Sequence, residues 1–174
     1  MYSKEISIPE KVSVEILNNK VIVSGPKGQV EKRLELTAEI KMEKKDNKII
    51  ISSEKERREI KSLIGTSTAH IKNLIEGVTK GFTYKLKVVF SHFPIQVKVE
   101  KDKVLFLNFL GERIPRVAKI VGKTEVKVEG QEIIVSGVDL EAVGQTASNL
   151  ELATRRTGYD KKIFQDGCYI SSRE

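Results

Sequence analysis

Two stretches of this chain are written twice, and that restricts the fold to two copies of one small unit. Val14-Glu15-Ile16-Leu17-Asn18-Asn19-Lys20-Val21 is matched 83 positions later by Val97-Lys98-Val99-Glu100-Lys101-Asp102-Lys103-Val104, and the same offset carries Gly28 onto Gly111. At an offset of 84, Ile49-Ile50-Ile51-Ser52 falls on Ile133-Ile134-Val135-Ser136, and further on Gly65 and Ile71 answer to Gly144 and Leu150. Self-similarity at a fixed period marks a duplicated supersecondary unit. The seam falls near Lys80-Gly81, which gives domains 1–81 and 82–174.

Each unit reads as hairpins followed by one helix. Val12, Val14 and Ile16 alternate with polar residues, Asn18-Asn19 supplies a turn, and Val21 and Val23 alternate back. Gly25-Pro26-Lys27-Gly28 makes the next turn, into a run carrying Val30, Lys32, Leu34 and Leu36. Ile40 and Met42 lead through Lys45-Asp46-Asn47 to Ile49-Ile50-Ile51. Ser53-Glu54-Lys55-Glu56 has the form of a capping box, and Ile60, Ile64, Ser67, Ile71, Leu74 and Val78 then trace one helical face ending between Gly77 and Gly81. Phe82, Tyr84, Leu86 and Val88 form a strand that opens the second unit or bridges the two. In the second unit Asp139 is placed as the N-cap of a helix carrying Leu140, Val143, Ala147, Leu150 and Thr154. Gly158 is read as its stop, with Arg155 and Arg156 in the last turn. The expected fold class is α+β, a tandem duplication of a small antiparallel sheet whose dry face is covered by one helix.

Function is constrained first by charge. Lys and Arg total 31 against 24 Asp and Glu, a net charge of +7, which favours an acidic partner such as nucleic acid. The excess is shared, +4 in residues 1–81 and +3 in 82–174, so clustering rather than total charge selects a surface. Arg113, Arg116, Lys119, Lys123 and Lys127 lie close together with only Glu112 and Glu125 among them, and Arg155, Arg156, Lys161 and Lys162 are interrupted by Asp160 alone. In the first unit, carboxylates interleave with the bases, as expected of a solvated helix face. The second unit therefore carries the candidate surface. Gly111 beside Asn108 would allow backbone amides to approach phosphates. Tyr159 and Phe164 would stack on unpaired bases or pin the tail to the body; pinning is the reading for Phe164.

Other chemistries find little footing. His70 falls on a helix and His92 in a loop, neither with a nucleophile or base at a suggestive spacing. Gly25-Pro26-Lys27-Gly28 lacks the Gly-Lys-Ser/Thr ending of a phosphate loop. A single cysteine, Cys168, rules out an internal disulfide or a cysteine-cluster metal site and reads as a packed thiol. No apolar run approaches the ~20 residues that span a bilayer, and residues 1–5 do not begin a secretory signal. The expectation is a cytoplasmic protein that is not an enzyme, with no catalytic or metal site, cofactor, small-molecule substrate or membrane partner.

The motifs together resemble a known family. Val21-Ile22-Val23-Ser24-Gly25-Pro26-Lys27-Gly28 in the first repeat carries the likeness, as do Asn108-Phe109-Leu110-Gly111-Glu112, Val126-Lys127-Val128, Ile134 to Asp139 and Val143-Gly144-Gln145-Thr146-Ala147 in the second. The closing run Phe164-Gln165-Asp166-Gly167-Cys168-Tyr169-Ile170-Ser171-Ser172-Arg173 is the most specific. Across essentially its whole length the chain resembles the L-six family of large-subunit ribosomal proteins, in its archaeal and eukaryotic branch (the eukaryotic counterpart is numbered nine). Two residues depart from the closing signature: Lys162 stands where Arg is usual, and Cys168 where an aliphatic residue is. The resemblance implies a two-domain structural constituent of the large ribosomal subunit, supporting translation in the cytoplasm. It would grip rRNA mainly through its C-terminal domain near the sarcin–ricin loop, with other ribosomal proteins as neighbours. Carried onto this chain, the candidate RNA-binding residues are Asn108, Gly111, Arg113, Arg116, Lys123, Arg155, Arg156, Lys161 and Lys162. Two alternatives stand beside this reading: a non-ribosomal tandem-repeat nucleic-acid binder, and a protein-assembly module that binds no RNA. Wedge-type DNA benders insert apolar side chains between base steps, and here the aromatics do not recur at matching places in the repeats.

Overall fold

The computed structural model describes residues 2–45, 47–160 and 162–174, and the chain divides into the compact units Met1–Gly81 and Phe82–Glu174. The first unit runs β1 (Tyr2–Ser7), β2 (Ser13–Leu17), β3 (Lys20–Gly25), β4 (Gly28–Arg33), β5 (Ile40–Lys45), β6 (Lys48–Ser53) and α1 (Arg58–Thr79). The second runs β7 (Phe82–Val89), β8 (Gln96–Val99), β9 (Lys103–Leu107), β10 (Arg116–Lys119), β11 (Glu125–Glu129), β12 (Glu132–Gly137), α2 (Leu140–Ala153) and β13 (Gly167–Arg173).

The duplication is visible strand by strand. In the first unit, sheets β1-β6-β5 and β2-β3-β4 are each antiparallel; in the second, β7-β12-β11 and β8-β9-β10 repeat them. Val14 pairs with Val23 as Val97 pairs with Phe106, the offset of 83; Lys45 pairs with Lys48 as Glu129 pairs with Glu132, the offset of 84. β7 therefore opens the second unit as the counterpart of β1, with no bridging role. The second unit has one addition, β13, which joins the far side of β7.

Alternation buries one side of each hairpin, and the helix covers it. Val21, Val23, Ile49 and Ile51 are fully buried beneath Ile64, Ile71 and Val78 of α1. Val104, Phe106, Ile133 and Val135 meet Val143, Ala147 and Leu150 of α2 in a second core. Each such Val, Leu, Ile or Phe side chain contributes about 1.5–3 kcal/mol when taken out of water. Lys45 to Asn47 includes Asp46, which lies outside the described residues, so that turn's geometry is not described.

Three expectations need correction. The capping box does not form: Ser53 is the last residue of β6, buried and paired with Tyr2 and Ile40, and its Oγ accepts the Lys55 amide instead. α1 begins at Arg58 behind Arg57, which has no side-chain cap, so strand pairing has outcompeted the local cap signal. α2 ends at Ala153 with Thr154 as C-cap, leaving Arg155 and Arg156 outside the helix. Thr154 Oγ1 donates to Glu151 O at 3.2 Å and accepts the Cys168 amide at 2.9 Å, tying the helix end to β13. The closing signature thus ends in a strand, with Gly167 and Cys168 buried and Tyr169, Ser171 and Arg173 exposed. By contrast, the Asp139 cap forms as expected, Oδ1 accepting the Glu141 amide at 3.0 Å.

The Gly25–Gly28 turn docks on the end of α1. The Lys27 amide donates to Val78 O at 3.0 Å and Lys27 Nζ donates to Lys80 O, satisfying carbonyls that the helix end leaves open. This contact requires glycine, because a Cβ at Gly25 would lie 2.7 Å from Val78 Cγ2. Gly25→Ala is expected to destabilise the chain by about 1–3 kcal/mol through overpacking, read as a lowered midpoint in urea unfolding. An unchanged midpoint would show that Val78 moves aside freely.

Candidate nucleic-acid interface

The loop between β9 and β10 is built from left-handed residues. Asn108, Leu110 and Gly111 have φ of 59°, 49° and 77°. Asparagine tolerates this conformation, and here Asn108 Nδ2 also donates to Pro94 O at 3.2 Å. Phe109, fully buried, anchors the turn in the core. The amides of Gly111 and Glu112 donate back to Asn108 O and Phe109 O, at 3.4 and 2.9 Å. Those two N–H groups close the turn and are engaged within the loop itself.

Arg116 holds the loop in place. Its Nε and Nη2 donate to Glu112 Oε2 and Oε1 at 2.8 and 2.6 Å, a two-pronged pair, and its guanidinium lies 4.3 Å from the Phe109 ring centre. Nη1 reaches across to Ala153 O at 3.3 Å and Arg155 O at 2.7 Å. The guanidinium therefore ties the β9–β10 loop to the chain leaving α2. Arg113, next to Glu112, and Arg155 are both exposed on the two segments it joins.

Arg156 performs a similar task one step on. Its Nη1 donates to Asp166 O and to Tyr169 Oη at 2.9 Å, and Tyr169 Oη donates to Gln165 O at 3.0 Å. Asp166 is itself buried and accepts from Ser91 Oγ at 3.1 Å. Within the loop so closed, Tyr159 and Phe164 meet edge to face with ring centres 5.2 Å apart. Phe164 thus pins the segment to itself. Lys162 is exposed, its amide donating to Asp160 Oδ1 at 2.9 Å; Lys161 lies outside the described residues.

The structure gathers some sequence candidates and separates others. Asn108 and Gly111 shape the loop, Arg116 and Arg156 position it, and Arg113, Arg155 and Lys162 present charge to solvent. Lys123 stands apart. It follows Gly122, which backs on Ala142, and its carbonyl lies by Gly137, so it sits at the start of α2. The 14 residues of that helix put it about 20 Å from the Arg116 clamp. Sequence reasoning missed Glu112 and Phe109, the two groups that fix Arg116. The four-residue spacing of Glu112 and Arg116 was visible, but it fell outside any helix, where spacing carries no contact information. Around the clamp the surface also exposes Ile114, Leu152, Tyr159 and Ile163.

Remaining polar groups have structural settings. His70 Nδ1 lies 3.1 Å from Lys32 Nζ. Burial, with Glu151 nearby, pushes the Cys168 thiol up to about 12, so at neutral pH it is a protonated packing group. No helix among the described residues is long and apolar enough to cross a membrane.

Two outcomes follow from this geometry. The hydrogen bonds from Arg116, then its charge, hold the Glu112 carboxyl below the usual carboxylate range. A lowered folded pKa stabilises above the unfolded value, and that contribution disappears as pH falls through the folded one. Glu112→Gln is therefore expected to narrow the stability difference from the parent as pH drops below about 4, seen in unfolding midpoints across pH; a pH-independent difference would discount the ion pair. Arg116→Ala, leaving two carbonyls and Glu112 without their donor, is expected to cost about 1–3 kcal/mol in the same assay.

Comparison with known proteins matches the chain to the ribosomal protein L6 family over residues 8–81 and 93–167, one segment in each repeat. A large ribosomal subunit protein uL6 from Ignicoccus hospitalis is 46% identical, covering 97% of this chain and 93% of its own. Counterparts bearing the same description from Methanosarcina mazei and Methanothrix thermoacetophila are 47% and 49% identical, covering 97% and 96% of this chain and 95% and 94% of theirs.

Proposed function

The chain belongs to the ribosomal protein L6 family, and from that premise we propose that it is a structural constituent of the large ribosomal subunit that grips rRNA mainly with its second unit, near the sarcin–ricin loop. One observation supports the choice of the second unit: Arg116 binds the β9–β10 loop to the end of α2, so that Arg113 and Arg155 are offered from one support. Exposed cations held on a preorganised surface neutralise phosphates at low ordering cost. Arg116 and Arg156 position, Arg113, Arg155, Lys161 and Lys162 contact the backbone, and Lys123 makes a separate contact at the other end of α2. Lys162, where the family signature usually has Arg, offers a point charge in place of a two-pronged fork. Ile114, Tyr159 and Ile163 supply apolar surface beside the charges, suited to unpaired bases. No catalytic step is assigned to any residue.

Filter binding to large-subunit rRNA fragments over a salt series tests the reading. Arg113→Ala and Arg155→Ala are each expected to weaken binding and to reduce the salt slope by about 1. Lys123→Ala should add independently to either, since sites this far apart rarely couple. Unchanged slopes in the arginine variants would favour an assembly module with incidental charge, and equal affinity for duplex DNA would favour a non-ribosomal binder.

A further inference from the structure

The two repeats differ most at one sheet edge. β7 is flanked on both sides, by β12 and β13, whereas among the described residues its counterpart β1 is flanked by β6 alone. The registers fix the correspondence: Ile6 pairs with Ile49 as Leu86 pairs with Ile133, and Lys4 with Ile51 as Tyr84 with Val135. Backbone direction follows. In β7, Thr83 exchanges hydrogen bonds of 2.7 and 2.8 Å with Glu174, beyond β13, while the Val88 amide turns the other way to Gln131 O. Ile8 repeats the latter bond with Asn47 O at 2.7 Å. Alternation therefore points the amides of Ser3, Glu5 and Ser7 away from β6, along the open edge.

The helices correspond as well. A Cβ at Gly144 would meet Tyr84 Oη at 3.8 Å, and one at Gly65 would meet Lys4 Nζ at the same distance. Counting on from that pair places Ile75 of α1 where α2 leads into Thr154. In the second unit Thr154 holds the Cys168 amide, so β13 fills the space between β7 and the helix end. In the first unit the same space is a groove of about 350 Å³, framed by Glu5, Ser7, Lys72, Ile75 and Thr79.

We propose that the β1 edge and this groove receive an extended segment of a neighbouring protein of the large subunit, added antiparallel to β1 as β13 is added to β7. This inference rests on the ribosomal reading above. Strand addition draws affinity from main-chain hydrogen bonds and selectivity from alternate side chains. In the second unit Arg173 pairs with Tyr84 and lies 5.8 Å from its ring; Lys4 holds that place in the first, so the incoming strand carries an acidic residue there. Its inward residues are small and apolar, as Cys168 is, because Ile75 is bulkier than the threonine at the matching place. Lys4 at the centre of the edge also guards against indiscriminate pairing.

The full-length Ser7→Cys variant, recovered in large subunits and fitted with a thiol-anchored photocrosslinker, tests this; Cys168 is buried and does not compete. The expected result is an adduct with one polypeptide, mapped by mass spectrometry to an extended acidic segment. Glu5→Pro in that background removes only an outward amide, which an edge strand tolerates, and is expected to reduce the adduct several-fold while rRNA retention persists; Glu5→Ala should keep it. An adduct with rRNA alone, with a second copy of this chain, or with nothing overturns the proposal. A chain that never enters the subunit overturns the ribosomal reading as well, so the two failures are distinguishable.

Discussion

Everything in this protein depends on one helix covering the dry face of two small antiparallel sheets. Without that cover, the apolar side of each set of strands would stay in water, at a cost proportional to its area. Ile64, Ile71 and Val78 in one unit, and Val143, Ala147 and Leu150 in the other, remove that side from water. Because each unit closes its own core, its loops are released from structural duty. The second unit uses that freedom, placing charge on the β9–β10 loop and on the segment after α2.

Charge alone does not make a surface useful. The two units carry nearly equal excesses of base, yet in the second an arginine, Arg116, is employed to hold together the segments that carry Arg113 and Arg155. Arg116 makes four hydrogen bonds, two to Glu112 and two to backbone carbonyls, and Arg156 donates to Asp166 O and Tyr169. The cost of ordering both segments is met within the fold, before any partner arrives. Duplication followed by local addition explains the asymmetry: β13 and the 154–166 loop are extra parts on a scaffold that the first unit shows to be complete without them.

The hairpins, both helices and their buried faces were legible because their signals are short in range. Val21 and Val23 alternate, Asn18 turns the chain at φ 54°, Asp139 caps two residues ahead, and the repeat offsets reappear unchanged in the strand registers. Signals that failed were equally local but were outweighed. Ser53 looks like a cap, yet pairing with Tyr2 and Ile40 keeps it in a strand. Gly158 looks like a helix stop, yet Thr154 ends α2 earlier because its hydroxyl is claimed by Cys168.

The sequence by itself therefore determined the number of units, the hairpins and helix that the units share, the sides these bury and the family to which the whole belongs. Tertiary structure alone decided which basic residues stand together: it joined Arg113 to Arg155 through Arg116, turned Arg156 inward and left Lys123 at the far end of α2. It also decided that the closing signature is a strand. The reason is physical. Periodicity and turn chemistry act within a few residues, whereas Arg116 reaching Ala153 O, or Thr154 accepting from Cys168, depends on segments that meet only after both have packed on the same core.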